Sequence, residues 1–207
     1  MPGRGKDCRQ RPGDTGTHTM TEDELVARTE RALELPPEEL AEELPALLDD
    51  LEGQVEVVAM ENPRVFARVV QRMDEMDIQA FALDNPETVD RFMNVLWTGM
   101  NLLVQFSPDV QETITQDLAV NFEATDAPME GHLRLDADEG AATGGPDLVA
   151  DADIEIRGPA NTLASLITGG TDPVQGFMQQ QFEMDGDIQK GTQMAVTMEK
   201  LTEKLPQ

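Results

Sequence analysis

Residues 152–201 read ADIEIRGPANTLASLITGGTDPVQGFMQQQFEMDGDIQKGTQMAVTMEKL, and they carry the clearest succession of secondary-structure signals in the chain. Apolar and polar residues alternate at the start, which predicts a strand with one buried face. Gly-Gly and Asp-Pro then delimit two short helices, and an apolar stripe predicts a last helix. The predicted elements are a strand through Ala152, Ile154 and Ile156, helices over 159–168 and 172–180, a strand at Phe182 and Met184, and a helix over 187–204 with Ile188, Met194, Ala195, Met198 and Leu201 on its apolar side.

The stretch before it, from Ser107-Pro108 onward, also alternates between apolar and polar residues. This pattern predicts two more strands, which Asp126-Ala127-Pro128 joins by a turn, and residues 140–147 are predicted as a loop. The apolar positions of the two strands are Leu118, Val120 and Phe122 in the first and Leu133 and Leu135 in the second. Together with the strand at Ile154, they predict an antiparallel sheet with one buried face.

Residues 20–106 show helical periodicity instead. Two apolar stripes follow Pro36-Pro37 and Asn62-Pro63, and Asn85-Pro86 opens a third helix, so we expect antiparallel helices joined by short loops. Residues 92–106, FMNVLWTGMNLLVQF, are apolar on nearly every face and too short to span a membrane. Two interpretations stay open for this segment, a buried core helix or a helix that closes over a lipid cavity.

The first 19 residues differ from the rest of the chain. Four basic and two acidic residues give them a net charge of +2, and they are rich in Gly and Pro without apolar periodicity. We predict a disordered basic extension. Because Met20 immediately precedes a helix start with an acidic first turn, translation could also begin there, and the extension would then be a mis-assigned start.

Acidic residues dominate the composition. The chain has 41 Asp and Glu against 15 Lys and Arg, a formal net charge of -26, so its surface repels phosphate backbones and nucleic-acid binding is a poor hypothesis. Acidic residues are spread along the whole chain, and few of the basic residues are lysines. This distribution indicates a halophilic, archaeal source, because concentrated salt screens the self-repulsion of such a surface.

Few residues suit catalysis or metal binding. Cys8 is the single cysteine, and His18 and His132 are the two histidines, so we predict no disulfide within the chain, no metal site, no cofactor and no catalytic residues. No apolar core follows the N-terminal basic residues, as a secretion signal requires. We therefore expect a soluble cytoplasmic protein that is not an enzyme.

The order of these motifs in the C-terminal half resembles the sterol carrier protein family. The resemblance is clear over about residues 150–201 and extends back to about residue 108. Its most specific elements are Leu166-Ile167-Thr168-Gly169, Asp172-Pro173, Gly176-Phe177-Met178 and Asp185-Gly186-Asp187. One departure is Gln179-Gln180-Gln181, where the family often has a glycine, and a cluster of basic residues is also missing.

This resemblance implies a sterol-carrier-like lipid-binding domain over 107–207. It does not cover the N-terminal helical region over 20–106, which precedes that domain in the α+β fold that we predict. In that domain a mainly antiparallel five-stranded sheet is covered by helices, and an apolar cavity lies between the layers. The positions expected to line the cavity are Leu163, Ile167, Phe177, Met178, Phe182, Met184, Met194 and Met198. Methionine suits this role because it adapts to irregular ligands.

The resemblance thus implies non-catalytic binding or transfer of an apolar lipid, such as a fatty acyl chain, a polyprenyl compound or a quinone-like molecule. A transient membrane or protein contact would accompany that role. The alternative is an accessory or scaffold module for a lipid- or quinone-metabolising enzyme. In that case the C-terminal domain would have a filled core, and the helical region would contact the partner.

Overall fold

The computed structural model describes residues 21–51, 53–73 and 75–204 of the chain. The predicted N-terminal extension, with Cys8 and His18, lies outside these ranges. The helices are α1 (Glu22–Leu33), α2 (Pro37–Leu51), α3 (Val55–Glu61), α4 (Pro63–Met73), α5 (Ile78–Asp84), α6 (Pro86–Gln105), α7 (Pro108–Gln111), α8 (Ala160–Thr168), α9 (Pro173–Met178) and α10 (Ile188–Thr202). The strands are β1 (Leu118–Ala124), β2 (Glu130–Asp136), β3 (Ala141–Gly145), β4 (Ile154–Gly158) and β5 (Glu183–Gly186).

The five strands form one mixed sheet in the order β3-β2-β1-β4-β5. Three neighbouring pairs are antiparallel, and the central pair β1–β4 is parallel, with Val120 opposite Ile154 and Phe122 opposite Ile156. These four side chains are buried, so one face of the sheet carries the core. The predicted α+β class, with helices first and a mainly antiparallel five-stranded sheet after them, is confirmed.

The loop predicted over 140–147 is wrong, because Ala141–Gly145 forms β3 at the edge of the sheet. Its sequence AATGG lacks large alternating apolar residues, so the local pattern gives no strand signal. The reason for the small residues is packing. A Cβ added at Gly144 would lie 2.6 Å from both the Trp97 ring and the His132 carbonyl oxygen, so only glycine allows α6 to approach the strand this closely.

Helix α6 lies across the sheet at β3 and buries most of its apolar face. The Trp97 ring packs on Phe122 with ring centroids 6.4 Å apart, and the Asn101 side-chain amide donates to the Ala142 carbonyl oxygen at 2.5 Å. The stretch 92–106 is thus mainly core, although Phe106 at its end is 65% exposed. Helices α1 to α5 pack around the other side of α6, with the leucines of α2 and the apolar stripe of α4 buried between them.

In the first turn of α10, the buried face differs from the one that the sequence predicts. Ile188, placed on the apolar side by the sequence pattern, is 71% exposed, while Met194, Met198 and Leu201 are buried. The helix begins at the end of β5, where Asp187 caps it by accepting from the backbone N–H groups of Gln189 and Lys190. Gly191 is the first inward position, since it packs against Met184 of β5.

A carboxylate bridges β1, β4 and α10 at one end of the sheet. Asp153, just before β4, accepts from Lys190 Nζ at 2.6 Å and from the Ala119 backbone N–H at 2.9 Å. The Lys190 hydrogen bond is the main reason that the pKa of Asp153 lies below its usual value, and partial burial opposes the shift. Because the pKa is lowered on folding, this group stabilises the fold above the unfolded pKa of about 3.9 and loses its contribution as pH falls through the folded pKa.

We therefore expect Asp153→Asn to lower the free energy of unfolding by about 1 kcal/mol at pH 7. The difference from the parent protein should shrink as pH falls below about 4, in urea titrations at several pH values. Asp151→Asn is the matched control, because Asp151 is 79% exposed and pairs with Arg134 on the surface. An equal loss in both variants, or a loss that does not depend on pH, would contradict this account.

Candidate functional site

The eight predicted cavity residues fall into two groups in the structure. Leu163, Ile167, Phe182, Met194 and Met198 are buried, and Met184 is half-buried beside Gly191. Phe177 and Met178 instead face outward, with 44% and 76% of their side chains exposed. The structure therefore brings six of the predicted residues to the interior of the C-terminal region and leaves the two on α9 at its surface.

Helix α9 has its apolar side turned outward. Val174, Phe177 and Met178 lie at i, i+3 and i+4, so they share one face, and all three are exposed. The inward position is Gly176, where an added Cβ would lie 2.8 Å from Cε1 of Phe182. A glycine is needed there because the Phe182 ring occupies the space that a side chain would take.

An open groove of about 360 Å³ runs between α10 and the segment that includes the end of α8, the α8–α9 loop and the start of α9. Its size falls within the range of about 300 to 1,000 Å³ that is usual for small-molecule sites. The lining residues are Leu166, Gly169, Gly170, Thr171, Asp172, Pro173, Val174, Thr192, Ala195, Val196, Met198, Glu199 and Thr202. Met198 is the one predicted site residue among them.

Backbone geometry fixes the outer wall of the groove. Gly169 ends α8 with φ +86°, and an added Cβ there would lie 2.5 Å from the Thr202 methyl group on α10, so the loop rests directly on the last helix. The Thr171 backbone N–H donates to the Ser165 carbonyl oxygen at 3.0 Å. Asp172 then caps α9 by accepting from the Gln175 N–H at 2.7 Å.

The polar groups of the groove are largely occupied within the protein. The Thr171 hydroxyl donates to the Ser165 hydroxyl oxygen, Thr192 to the Ile188 carbonyl oxygen and Thr202 to the Glu199 carbonyl oxygen, each at 3.0 Å. Two lining residues are charged, Asp172 and Glu199, and the first is the cap of α9. What this groove offers a ligand is therefore mainly apolar surface from Leu166, Val174, Ala195, Val196 and Met198.

Sequence reasoning missed Leu166, Val174 and Val196 as lining residues. A signal for Val196 was present, because Ile188, Thr192 and Val196 repeat every four residues and form a stripe beside the buried face of α10. For Val174 the signal was weaker, since the direction in which α9 faces depends on Gly176 and Phe182. Among the glutamines after α9, Gln180 has a φ of +59°, a backbone conformation that favours glycine.

Besides an open cleft of about 620 Å³ between α2 and α5, two other cavities lie in or beside the helical region. One, of about 400 Å³, is lined by Leu48, Gly53, Val55, Glu56, Arg91, Asn94, Val95 and Thr98. The other is a void of about 20 Å³ between the helices and the β1–β2 turn, with four methionines in its wall. Those methionines are Met73, Met76, Met93 and Met129. The void is too small for a lipid in this conformation.

Within the described ranges, no set of three or more His, Cys, Asp or Glu side chains is placed to hold a metal ion. The same ranges contain no helix that is both long enough and apolar enough to cross a bilayer.

Comparison with known proteins bears on the part of the chain that contains the groove. Residues 103–199 match the sequence model of the SCP-2 sterol transfer family. No curated protein matches the sequence.

Several solved structures are similar in fold. The apo form of Sterol Carrier Protein 2 from Yarrowia lipolytica is 13% identical, with TM-score 0.40, and the match covers 54% of this chain and 92% of that one. A UbiJ-SCP2 ubiquinone synthesis protein is 15% identical, with TM-score 0.44, and covers 57% and 98% of the two chains. The sterol carrier protein domain 2 of Helicoverpa armigera is 16% identical, with TM-score 0.39 and coverage of 56% and 93%.

Proposed function

We propose, from the match of residues 103–199 to the SCP-2 sterol transfer family, that the protein binds an apolar lipid in its C-terminal region and releases it unchanged. The observation that supports this most directly is the groove between the α8–α9 loop and α10. Removal of apolar surface from water contributes about 25 cal/mol per Å², so apolar walls are enough to hold an acyl or prenyl chain without many polar anchors.

The buried residues behind the groove would form its deeper wall. Met198 lines the groove, and Met194 lies one helical turn before it on the buried side of α10. Leu163 and Ile167 on α8, with Phe182 and Met184 at β5, complete this apolar layer over the sheet. We propose that a chain seated in the groove reaches this layer through Met198, and that Phe177 and Met178 belong to the outer rim.

The ligand would be a fatty acyl chain, a polyprenyl compound or a quinone-like molecule. The threonine hydroxyls of the groove leave few free donors, which favours a molecule with a long apolar part over a compact polar one. The acidic excess fits our hypothesis that the protein works in the salt-rich cytoplasm of a halophile, where the charge is screened.

The test is a variant that fills the groove. Val196→Trp should weaken binding of a fluorescent fatty acid by about tenfold or more, because the indole would occupy the space between α10 and the α8–α9 loop. Titration in molar KCl measures the effect. Val57→Trp on α3 is the matched control, since Val57 is 41% exposed and Val196 is 45% exposed, and both lie on helices.

Equal affinity in the parent and both variants would place the ligand elsewhere. Lipid extraction of the purified protein, followed by mass spectrometry, identifies the bound molecule. Protein that is consistently empty and also fails to take up fatty acid would contradict lipid binding itself.

A second candidate function is an accessory role beside a lipid- or quinone-metabolising enzyme. The observation that favours it is the 400 Å³ cavity between α2, α3 and α6, which lies before residue 103 and therefore outside the family match. Its lining includes two charged residues, Arg91 and Glu56. Under this hypothesis the helical region contacts the enzyme while the C-terminal region presents the lipid.

A further inference from the structure

The segment around α9 is nearly free of charge in a highly charged chain. Between Gly158 and Phe182 the sequence contains one charged residue, Asp172, whereas 27% of the whole chain is charged. Asp172 is the cap of α9 and accepts from the Gln175 N–H. The surface of α9 is thus a gap in the negative charge of the molecule.

This gap is also the place where large apolar side chains are most exposed together. Val174 is 61% exposed, Phe177 44% and Met178 76%, and all three lie on the outward face of α9. Met178 is the most exposed of the large apolar residues in the described part of the chain. Because the inward position is Gly176 against Phe182, α9 cannot bury this face by a simple rotation.

The apolar face is continuous with the groove. Val174 belongs both to the outward face of α9 and to the groove lining, where Val196 of α10, 45% exposed, also lies. A partner that covers α9 would therefore also cover the mouth of the groove.

We infer that α9 is the face by which the protein docks on a lipid bilayer whose headgroups carry no net charge. Val174, Phe177 and Met178 would enter the boundary between headgroups and acyl chains, as the apolar face of an interfacial helix does. Uncharged headgroups are favoured because a chain with a net charge of -26 is repelled by an anionic leaflet, most strongly at low salt. If the proposed function holds, a lipid would pass from the bilayer into the groove without crossing water.

A bilayer fits this patch better than a second copy of the chain. A stable protein interface uses about 20 to 30 residues on each side, and the patch consists of one short helix and its immediate neighbours. Two copies joined here would also bring together two chains of the same large negative charge. An uncharged bilayer removes the apolar side chains from water without that repulsion.

Flotation with phosphatidylcholine vesicles in molar KCl tests the inference. The parent protein should float with the vesicles. For the double variant Phe177→Asp/Met178→Asp, the fraction of protein that floats should be lower by about tenfold or more, because two charges replace the inserted side chains. The matched control is Phe106→Asp/Met60→Asp, which adds the same two charges where the parent side chains are 65% and 54% exposed. It should float like the parent. At low salt, phosphatidylglycerol vesicles should bind the parent more weakly than phosphatidylcholine vesicles do.

Three outcomes would overturn the inference. The first is a parent protein that does not float, and the second is an equal loss of flotation in both double variants. The third is a parent protein that is dimeric without vesicles while the Phe177→Asp/Met178→Asp variant is monomeric. Failure of the proposed function looks different. In that case the parent protein floats with vesicles but takes up no soluble fluorescent fatty acid in their absence.

Discussion

Replacement of Gly186 by alanine is expected to lower the free energy of unfolding by about 3 kcal/mol. Gly186 ends β5 with φ +129°, and an added Cβ would lie 2.2 Å from the Asp153 carbonyl oxygen. That atom belongs to the backbone next to β4, so no side-chain rotation can relieve the clash. The strand would have to move away from β4, where Gly186 lies opposite Ile154.

The displacement would extend beyond the sheet. Asp187, the next residue, is the cap of α10, and Lys190 in the first turn of that helix binds Asp153. A shift of β5 would therefore strain the cap, the ion pair and the start of the helix that forms one wall of the groove. We expect the cost of Gly186→Ala to exceed that of a positive φ alone for this reason.

Gly53→Ala separates the two contributions. Gly53 has φ +78°, but an added Cβ there meets no atom within 4 Å, so its cost should be about 1 kcal/mol from backbone conformation only. Urea titrations followed by the emission of Trp97 measure both variants, because this is the single tryptophan in a chain without tyrosine. Similar losses in the two variants would show that the close approach at Gly186 is unimportant.

The sequence predicted the elements whose signals are local. Alternation predicted β1, β2 and β4, and Asp172-Pro173 and Gly169-Gly170 marked the helices on either side of their loop. It missed β3, since AATGG has no alternating large side chains and its position is set by the free edge of β2 and by Trp97 above Gly144. The parallel pairing of β1 with β4 could not be predicted either, because the alternation of apolar residues within a strand does not show which distant strand pairs with it or in which direction.

The candidate site shows the same division. The family resemblance led us to expect Leu163, Ile167, Met194 and Met198 around an internal cavity, and they are buried. The same resemblance led us to expect Phe177 and Met178 there, yet they are exposed. Which side of α9 faces inward is decided by Gly176 against Phe182, a contact between residues six positions apart that periodicity does not encode.

The contact between Gly176 and Phe182 leads to the second prediction of a large loss of stability. Phe182→Ala is expected to lower the free energy of unfolding by about 3 kcal/mol. Only 6% of Phe182 is exposed, so removal of its ring leaves a cavity in the core. Phe106→Ala, at a residue 65% exposed, should change stability by less than about 0.5 kcal/mol in the same urea titration. Comparable losses in the two variants would contradict the packing described for Phe182.

The consequence for α9 is more specific than the loss of stability. The Phe182 ring contacts Gly176 from inside and lies 6.3 Å from the Phe177 ring, so it is the main apolar support of this short helix. In Phe182→Ala the backbone amides of α9 should therefore exchange hydrogen faster by a larger factor than those of α8 or β1. If exchange instead rises uniformly over the C-terminal region, Phe182 supports the whole core and not α9 in particular. A selective rise would show that α9 can move away from the core while the sheet beneath it stays folded, which under the proposed function would give a lipid a path from the groove to the buried layer behind it.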